Sequence, residues 1–254
     1  MSDAFDLTGK TALITGAGVG IGKAIAEALG QAGAFVGVHY RSSAEHAEQT
    51  LVNIREVGGD GVLLQGDLTI EADAHRIVDQ LVEKAGRLDI LVNNAGSPIQ
   101  RAKIEELSLD LWNQIIQTNL TSAFMVTRRA IPHLRATKAG AIVNNLSLSV
   151  QTGGANGAGA YAAAKGGLQV LTRTLARELA PDVRTNAIMP GVIETRHHEL
   201  FSTPERMEQY REQTPMQRNG EPVDVASAVL YLVSESASFI NGALLDICGG
   251  RFLR

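Results

Sequence analysis

One cysteine, Cys248, is all the thiol chemistry that 254 residues contain. An intramolecular disulfide and a thiolate metal cluster are thereby excluded, and Cys248 reads as a small buried or interface residue in a chain suited to a reducing compartment. Aromatic residues are scarce at 4%, and Lys and Arg are dispersed within a net charge of -4. A basic stripe interleaved with aromatics is missing, so nucleic acid is not expected as a partner. No apolar run approaches the roughly 20 residues that a membrane-spanning helix needs. The start of the chain carries Asp3 and Asp6 where a secretory leader carries Lys or Arg. A cytoplasmic protein without membrane contact is expected.

The 44% of hydrophobic residues is distributed in short runs. Thr11 to Thr15 is apolar enough for a strand, and the stretch from Lys23 to Leu29 has helical spacing that ends near Gly33. Ala34 to His39 repeats the strand, Ala44 to Val57 repeats the helix, and Gly58-Gly59 ends it. Further strands are expected at Gly61–Gln65, Leu88–Val92, Ala141–Asn145, Arg184–Ile188 and Ala243–Ile247, with helix-length segments between most of them. This alternation predicts one doubly wound α/β domain over residues 1–254, with a largely parallel sheet of about seven strands and helices on both faces. No linker rich in Pro, Gly or Ser divides it.

Between the first strand and the first helix lies Thr15-Gly16-Ala17-Gly18-Val19-Gly20-Ile21-Gly22. Glycine there lets the backbone turn tightly and approach a pyrophosphate, while free amides at the helix start direct partial positive charge at it. The spacing Gly16-x3-Gly20-x-Gly22 differs from the G-x-G-x-x-G of many dinucleotide folds. It resembles the signature of the short-chain dehydrogenase/reductase family, and the resemblance continues in order along nearly the entire chain. At the end of the second strand no Asp or Glu stands to bind a ribose 2′-hydroxyl. Arg41 and Ser42 instead offer a guanidinium and a hydroxyl to a 2′-phosphate, so NADP(H) is expected to be preferred, with NAD(H) as the other choice. The resemblance adds Asp67-Leu68 beside the adenine, Asn94-Ala95-Gly96 after the fourth strand, and Pro190-Gly191-Val192 with Thr195 around the nicotinamide.

Tyr161 and Lys165 stand four residues apart, on one face of an expected helix. A free phenol titrates near 10, too high for acid–base work at neutrality. A cation roughly 4 Å away, at an effective dielectric of about 20, favours the phenolate by about 4 kcal/mol, or near three pKa units. Lys165 is expected to supply that charge. By the same resemblance Ser147 matches the serine that hydrogen-bonds the carbonyl oxygen, with Ser149 as the alternative, and Asn119 completes a tetrad by supporting a water. Tyr161 would exchange the hydroxyl proton and Lys165 would hold the nicotinamide ribose.

These features imply an oxidoreductase that interconverts a small carbonyl compound and an alcohol. Sugars or polyols suit a similarity to bacterial glucose dehydrogenases. The rival is a 3-oxoacyl carrier-protein reductase, for which Arg135 and Lys138 are the local basic pair that could meet an acidic carrier. A dinucleotide-sensing regulator without chemistry is a third class, and it would show a broken tetrad. A substrate lid is expected at about 192–216, and a homotetramer is implied by the resemblance. His197-His198 has no convergent third ligand, so no metal is expected. Where the family often ends Asp-Gly-Gly, this chain has Cys248-Gly249-Gly250.

Overall fold

The computed structural model describes residues 3–195 and 202–253. His197 and His198 lie outside the described residues, as does Arg196. Seven strands form one parallel sheet: β1 (Thr11–Ile14), β2 (Phe35–Tyr40), β3 (Asp60–Gln65), β4 (Ile90–Asn93), β5 (Gly140–Asn145), β6 (Val183–Pro190) and β7 (Leu244–Ile247), in the order β3-β2-β1-β4-β5-β6-β7. Every expected strand is present, with ends shifted by a residue or two, as is usual where hydrogen bonding frays.

The strand pattern explains the two-sided core. Successive side chains of a strand point to opposite faces. Ala12 and Ile14 therefore join one buried cluster and Leu13 the other; Val92 and Leu91 divide in the same way. Helix α1 (Gly20–Gln31) covers the first face with Ile25 and Leu29, beside Val225 and Val229 of α9 (Pro222–Val233). Helix α3 (Glu71–Ala85) and helix α5 (Ser122–Ala136) cover the second with Ile77, Leu81, Val126 and Leu134. Removing one of these fully buried aliphatic side chains would cost about 2–5 kcal/mol.

Helix α2 (Ala44–Glu56) packs beside α1, while α4 (Leu109–Ile116) runs into α5 through a π-helical turn at Gln117–Thr121. A short α6 (Ser149–Thr152) precedes the long α7 (Gly159–Glu178), and α8 (Pro204–Glu212) lies between β6 and α9. Among the described residues no helix is long and apolar enough to cross a membrane. Strand order reverses between β1 and β4. In an open α/β sheet that switch point opens a crevice beyond the carboxyl ends of the strands, so the fold itself determines where a ligand can sit.

Candidate active site

The crevice at this switch point measures ≈ 640 Å³. At its β1 end, α1 starts at Gly20, three residues earlier than its apolar spacing suggests. Its N-cap, Val19, makes no side-chain cap, and the first turn holds no acidic residue. An uncapped helix start of this kind presents free amides and the positive end of a dipole to an anion. Gly22 has no room for a side chain: a Cβ there would come within 2.1 Å of the Gly16 carbonyl oxygen and 2.4 Å of Asn94 Nδ2. The close approach allows Asn94 Nδ2 to donate to the carbonyls of Thr15 and Gly16, at 2.9 and 3.1 Å. Asn94 Oδ1 accepts from Asn145 Nδ2 at 2.9 Å, which leaves this side chain committed to holding the glycine loop.

His39, near the end of β2, is the other support of that loop. Its ring is 2% exposed and bridges the Gly16 amide and the Gly66 carbonyl. Burial pulls it down to about 4, against the opposing influence of the Gly66 hydrogen bond and of Asp67 and Asp73. Arg41 is exposed at the crevice edge. For Asp67, burial opposes ionisation, but the hydroxyl and amide of Thr69 and the nearby Arg41 charge prevail and hold its carboxyl below the usual range.

At the other end, α7 carries Tyr161 and Lys165 on one face, with Lys165 Nζ 5.7 Å from the tyrosine ring centre. Lys165 is 2% exposed and donates to the Asn145 carbonyl at 2.7 Å. The Ser147 hydroxyl is close enough to the Tyr161 phenol to act on its ionisation, and its Oγ accepts the Ser149 amide at 3.1 Å. Ser149 Oγ is buried without a partner among the described residues, so the hydroxyl beside the phenol belongs to Ser147.

Burial acts against the expected pull of Lys165 on this phenol. Burial pushes Tyr161 up to about 12, with the Ser147 hydroxyl pulling the other way. The same burial brings Lys165 down to about 8. Two desolvated groups both resist ionisation, and the ammonium donates to the Asn145 carbonyl. Tyr161 retains some surface towards the crevice, so this shift takes full effect when water is excluded from it.

Most of the residues expected at the site line this crevice, but three do not. Gly18 packs against Ala47 at the start of α2, and Ser42 is exposed beyond β2. Asn119, 1% exposed in the π-helical turn, lies behind Gly96. Its Oδ1 accepts the Ser97 amide at 2.9 Å, and its Nδ2 donates to the carbonyls of Ser97 and Ile115. Arg206 and Tyr210, within the stretch expected as a lid, also line the crevice, as do Arg101 and Arg251, which the sequence did not single out. Among the described residues no group of His, Cys, Asp and Glu could hold a metal. On the outer surface Arg135 donates to the Glu178 carbonyl and Lys138 pairs with Asp182. Cys248 is partly buried, with its Cβ where a side chain on Gly191 would intrude.

The donor set fits a dinucleotide: an uncapped helix start for phosphate at one end, and at the other a buried ammonium with one acceptor among the described residues, able to donate further to ribose hydroxyls.

Comparison with known proteins agrees with this arrangement. A family model described as enoyl-(acyl carrier protein) reductase matches residues 16–251. Glucose 1-dehydrogenase 2 of Bacillus subtilis is 37% identical over 249 residues, spanning 98% of this chain and 96% of that protein. The 3beta-hydroxysteroid dehydrogenase 1 of Eggerthella lenta is 38% identical over 254 residues, spanning 98% and 95%. A solved 7 alpha-hydroxysteroid dehydrogenase, complexed with NADH and 7-oxo glycochenodeoxycholic acid, superposes with a TM-score of 0.93 at 33% identity, covering 98% of this chain and 97% of that one.

Proposed function

The chain belongs to the short-chain dehydrogenase/reductase family of NAD(P)-dependent oxidoreductases acting on CH–OH groups, and we propose that it reduces a ketone or aldehyde to an alcohol, reversibly, with Tyr161 as general acid and base. The observation that carries this reading is the Tyr161 phenol held against the Ser147 hydroxyl beside a buried Lys165, at the strand-end crevice whose opposite end is a glycine-rich helix start.

Gly16, Gly20, Ile21 and Gly22 bind the pyrophosphate side of NADP(H), with Arg41 on the 2′-phosphate and Asp67-Leu68 beside the adenine. Gly18 and Ser42 belong to the same loops as supports. Asn94, Ala95 and Gly96 form the crevice floor, and Pro190, Gly191, Val192 and Thr195 border the nicotinamide end. The nicotinamide, when bound, supplies the hydride acceptor or donor. In the reducing direction the neutral Tyr161 phenol donates its proton to the carbonyl oxygen as negative charge grows there. Ser147 donates a second hydrogen bond to that oxygen and stabilises the same charge. Lys165 holds the cofactor ribose and adds positive potential. Asn119 acts as a positioning residue by fixing the Ser97 backbone next to Gly96 and Lys165.

The preference for NADP(H) rests on Arg41 and on the absence of an acid at the end of β2. The stretch 192–216 serves as a substrate lid, a role supported by Val192, Thr195, Arg206 and Tyr210 lining the crevice. Phe124 on α5 and Val170 on α7, 43% and 62% exposed, support a homotetramer joined through these helices. Sedimentation as a monomer alone would remove that part of the reading.

The test is absorbance at the reduced-nicotinamide band with NADPH and NADH over ketones, sugars, polyols and acetoacetyl thioesters. Turnover that vanishes in Tyr161→Phe supports the proposal. Undiminished turnover in the variant would overturn the role of the phenol.

A further inference from the structure

Three arginines from distant parts of the chain line the crevice that holds Tyr161. Arg101 lies on the loop after β4, Arg206 on α8, and Arg251 near the end of the chain. Arg206 and Arg251 share one ring: their guanidinium carbons lie 5.3 and 4.6 Å from the centre of Tyr210. Two like charges are thus held within about 10 Å, the Debye length at 0.1 M salt, where they repel unless an anion joins them.

No carboxylate does so: among the described residues none of the three arginines forms an ion pair. The acids of α8, Glu205, Glu208 and Glu212, are exposed, and Glu208 is taken by Arg211. The partners of Arg206 and Arg251 among the described residues are neutral. Arg206 Nε donates to the Tyr210 hydroxyl at 2.5 Å, and Arg251 donates to the Tyr210 carbonyl at 3.1 Å and to Gln213 Oε1 at 2.9 Å. A guanidinium has five N–H donors, so most of this capacity remains. Arg101 Nε is buried with no acceptor among the described residues, an arrangement that costs stability, while the residue itself lines the crevice.

From this geometry we propose that the substrate is an anion: its carboxylate or phosphate is bound by Arg206 and Arg251, with Arg101 on the same crevice, while its carbonyl or carbinol carbon lies at Tyr161. The proposal rests on the oxidoreductase reading of the crevice and adds the chemical class of what enters it. The Tyr210 ring orients both guanidinium groups, and their planar forks match the paired oxygens of either anionic group.

The test uses matched probes that differ in charge. The (ω−1)-oxo acids from 4-oxopentanoate to 8-oxononanoate are each paired with the methyl ester, and dihydroxyacetone phosphate is paired with dihydroxyacetone. Both kcat/KM with NADPH and equilibrium binding by ligand-observed NMR are measured. At least a tenfold preference for the charged member of one series is expected, carried mainly by KM, and the series identifies carboxylate or phosphate. That ratio should fall at least tenfold in Arg206→Gln and in Arg251→Gln, each checked for unchanged thermal unfolding. Charged and neutral members turned over or bound alike would overturn the proposal and leave the oxidoreductase reading intact. Arginine-dependent binding of the charged probes without any turnover would support the anion site and count against that reading.

Discussion

Nδ1 of His39 accepts the Gly16 amide at 3.0 Å, and Nε2 of the same ring donates to the Gly66 carbonyl at 3.1 Å. One neutral imidazole therefore fastens the glycine loop after β1 to the end of β3. Protonation would turn the Nδ1 acceptor into a donor facing an N–H, so the folded protein resists it. Folding lowers the ring from 6.5 to about 4. The unfolded chain thus takes up a proton below pH 6.5 that the folded one refuses, and stability falls between pH 6.5 and 4. The contribution amounts to about 3 kcal/mol at most. In urea titrations from pH 7 to 4, the wild type should lose that much more stability than His39→Gln. Parallel pH profiles for the two proteins would show that the ring carries no such linkage.

A second expectation concerns Gly96, where a Cβ would lie 2.6 Å from Asn119 Oδ1 and 3.1 Å from Lys165 Nζ. Neither neighbour is a free end: Asn119 is held by Ser97 and Lys165 by Asn145. Gly96→Ala should therefore displace the ammonium, cutting kcat/KM at least tenfold and destabilising the fold by about 1–3 kcal/mol. Activity equal to wild type would mean that the loop yields without disturbing Lys165.

Much of this was legible in the sequence, for a physical reason. Strand, glycine turn and helix are local patterns, so β1 to β7 and the loop before α1 follow from short apolar runs and their spacing. The π-helical turn at Gln117–Thr121 was not legible, because it leaves the ordinary helical period unbroken on either side. The role of His39 was not legible beyond its place in a strand, because its burial depends on Gly16 and Gly66, which only the folded sheet brings together. Arg101, Arg206 and Arg251 each resemble a surface arginine in one dimension. Their convergence on one crevice is a tertiary fact.

The phenol predicts a pH asymmetry. With Tyr161 pushed up to about 12, the reducing direction begins from the protonation state it needs, whereas alcohol oxidation needs the phenolate. Oxidation kcat/KM should rise with pH across the range 7 to 9 while reduction stays level or falls. Tyr161→Phe should lose about 10²–10⁴-fold in both directions. A flat oxidation profile in the wild type would assign the base to another group.

Lys165 sets function against stability. Burial lowers its ammonium to about 8, so at pH 7 the folded protein maintains a charge that its surroundings disfavour. One hydrogen bond, to the Asn145 carbonyl, offsets part of that cost. Lys165→Met would remove the charge, fill similar volume and leave one carbonyl without its donor, a loss of about 1–3 kcal/mol against a desolvation gain of similar size. The variant should therefore unfold in urea within about 1 kcal/mol of the wild type, or above it, while turnover falls by more than about a hundredfold. Such a pairing separates a functional cation from a structural one: a variant that lost several kcal/mol would show Lys165 to be a keystone of packing, and one that kept its activity would remove it from the chemistry.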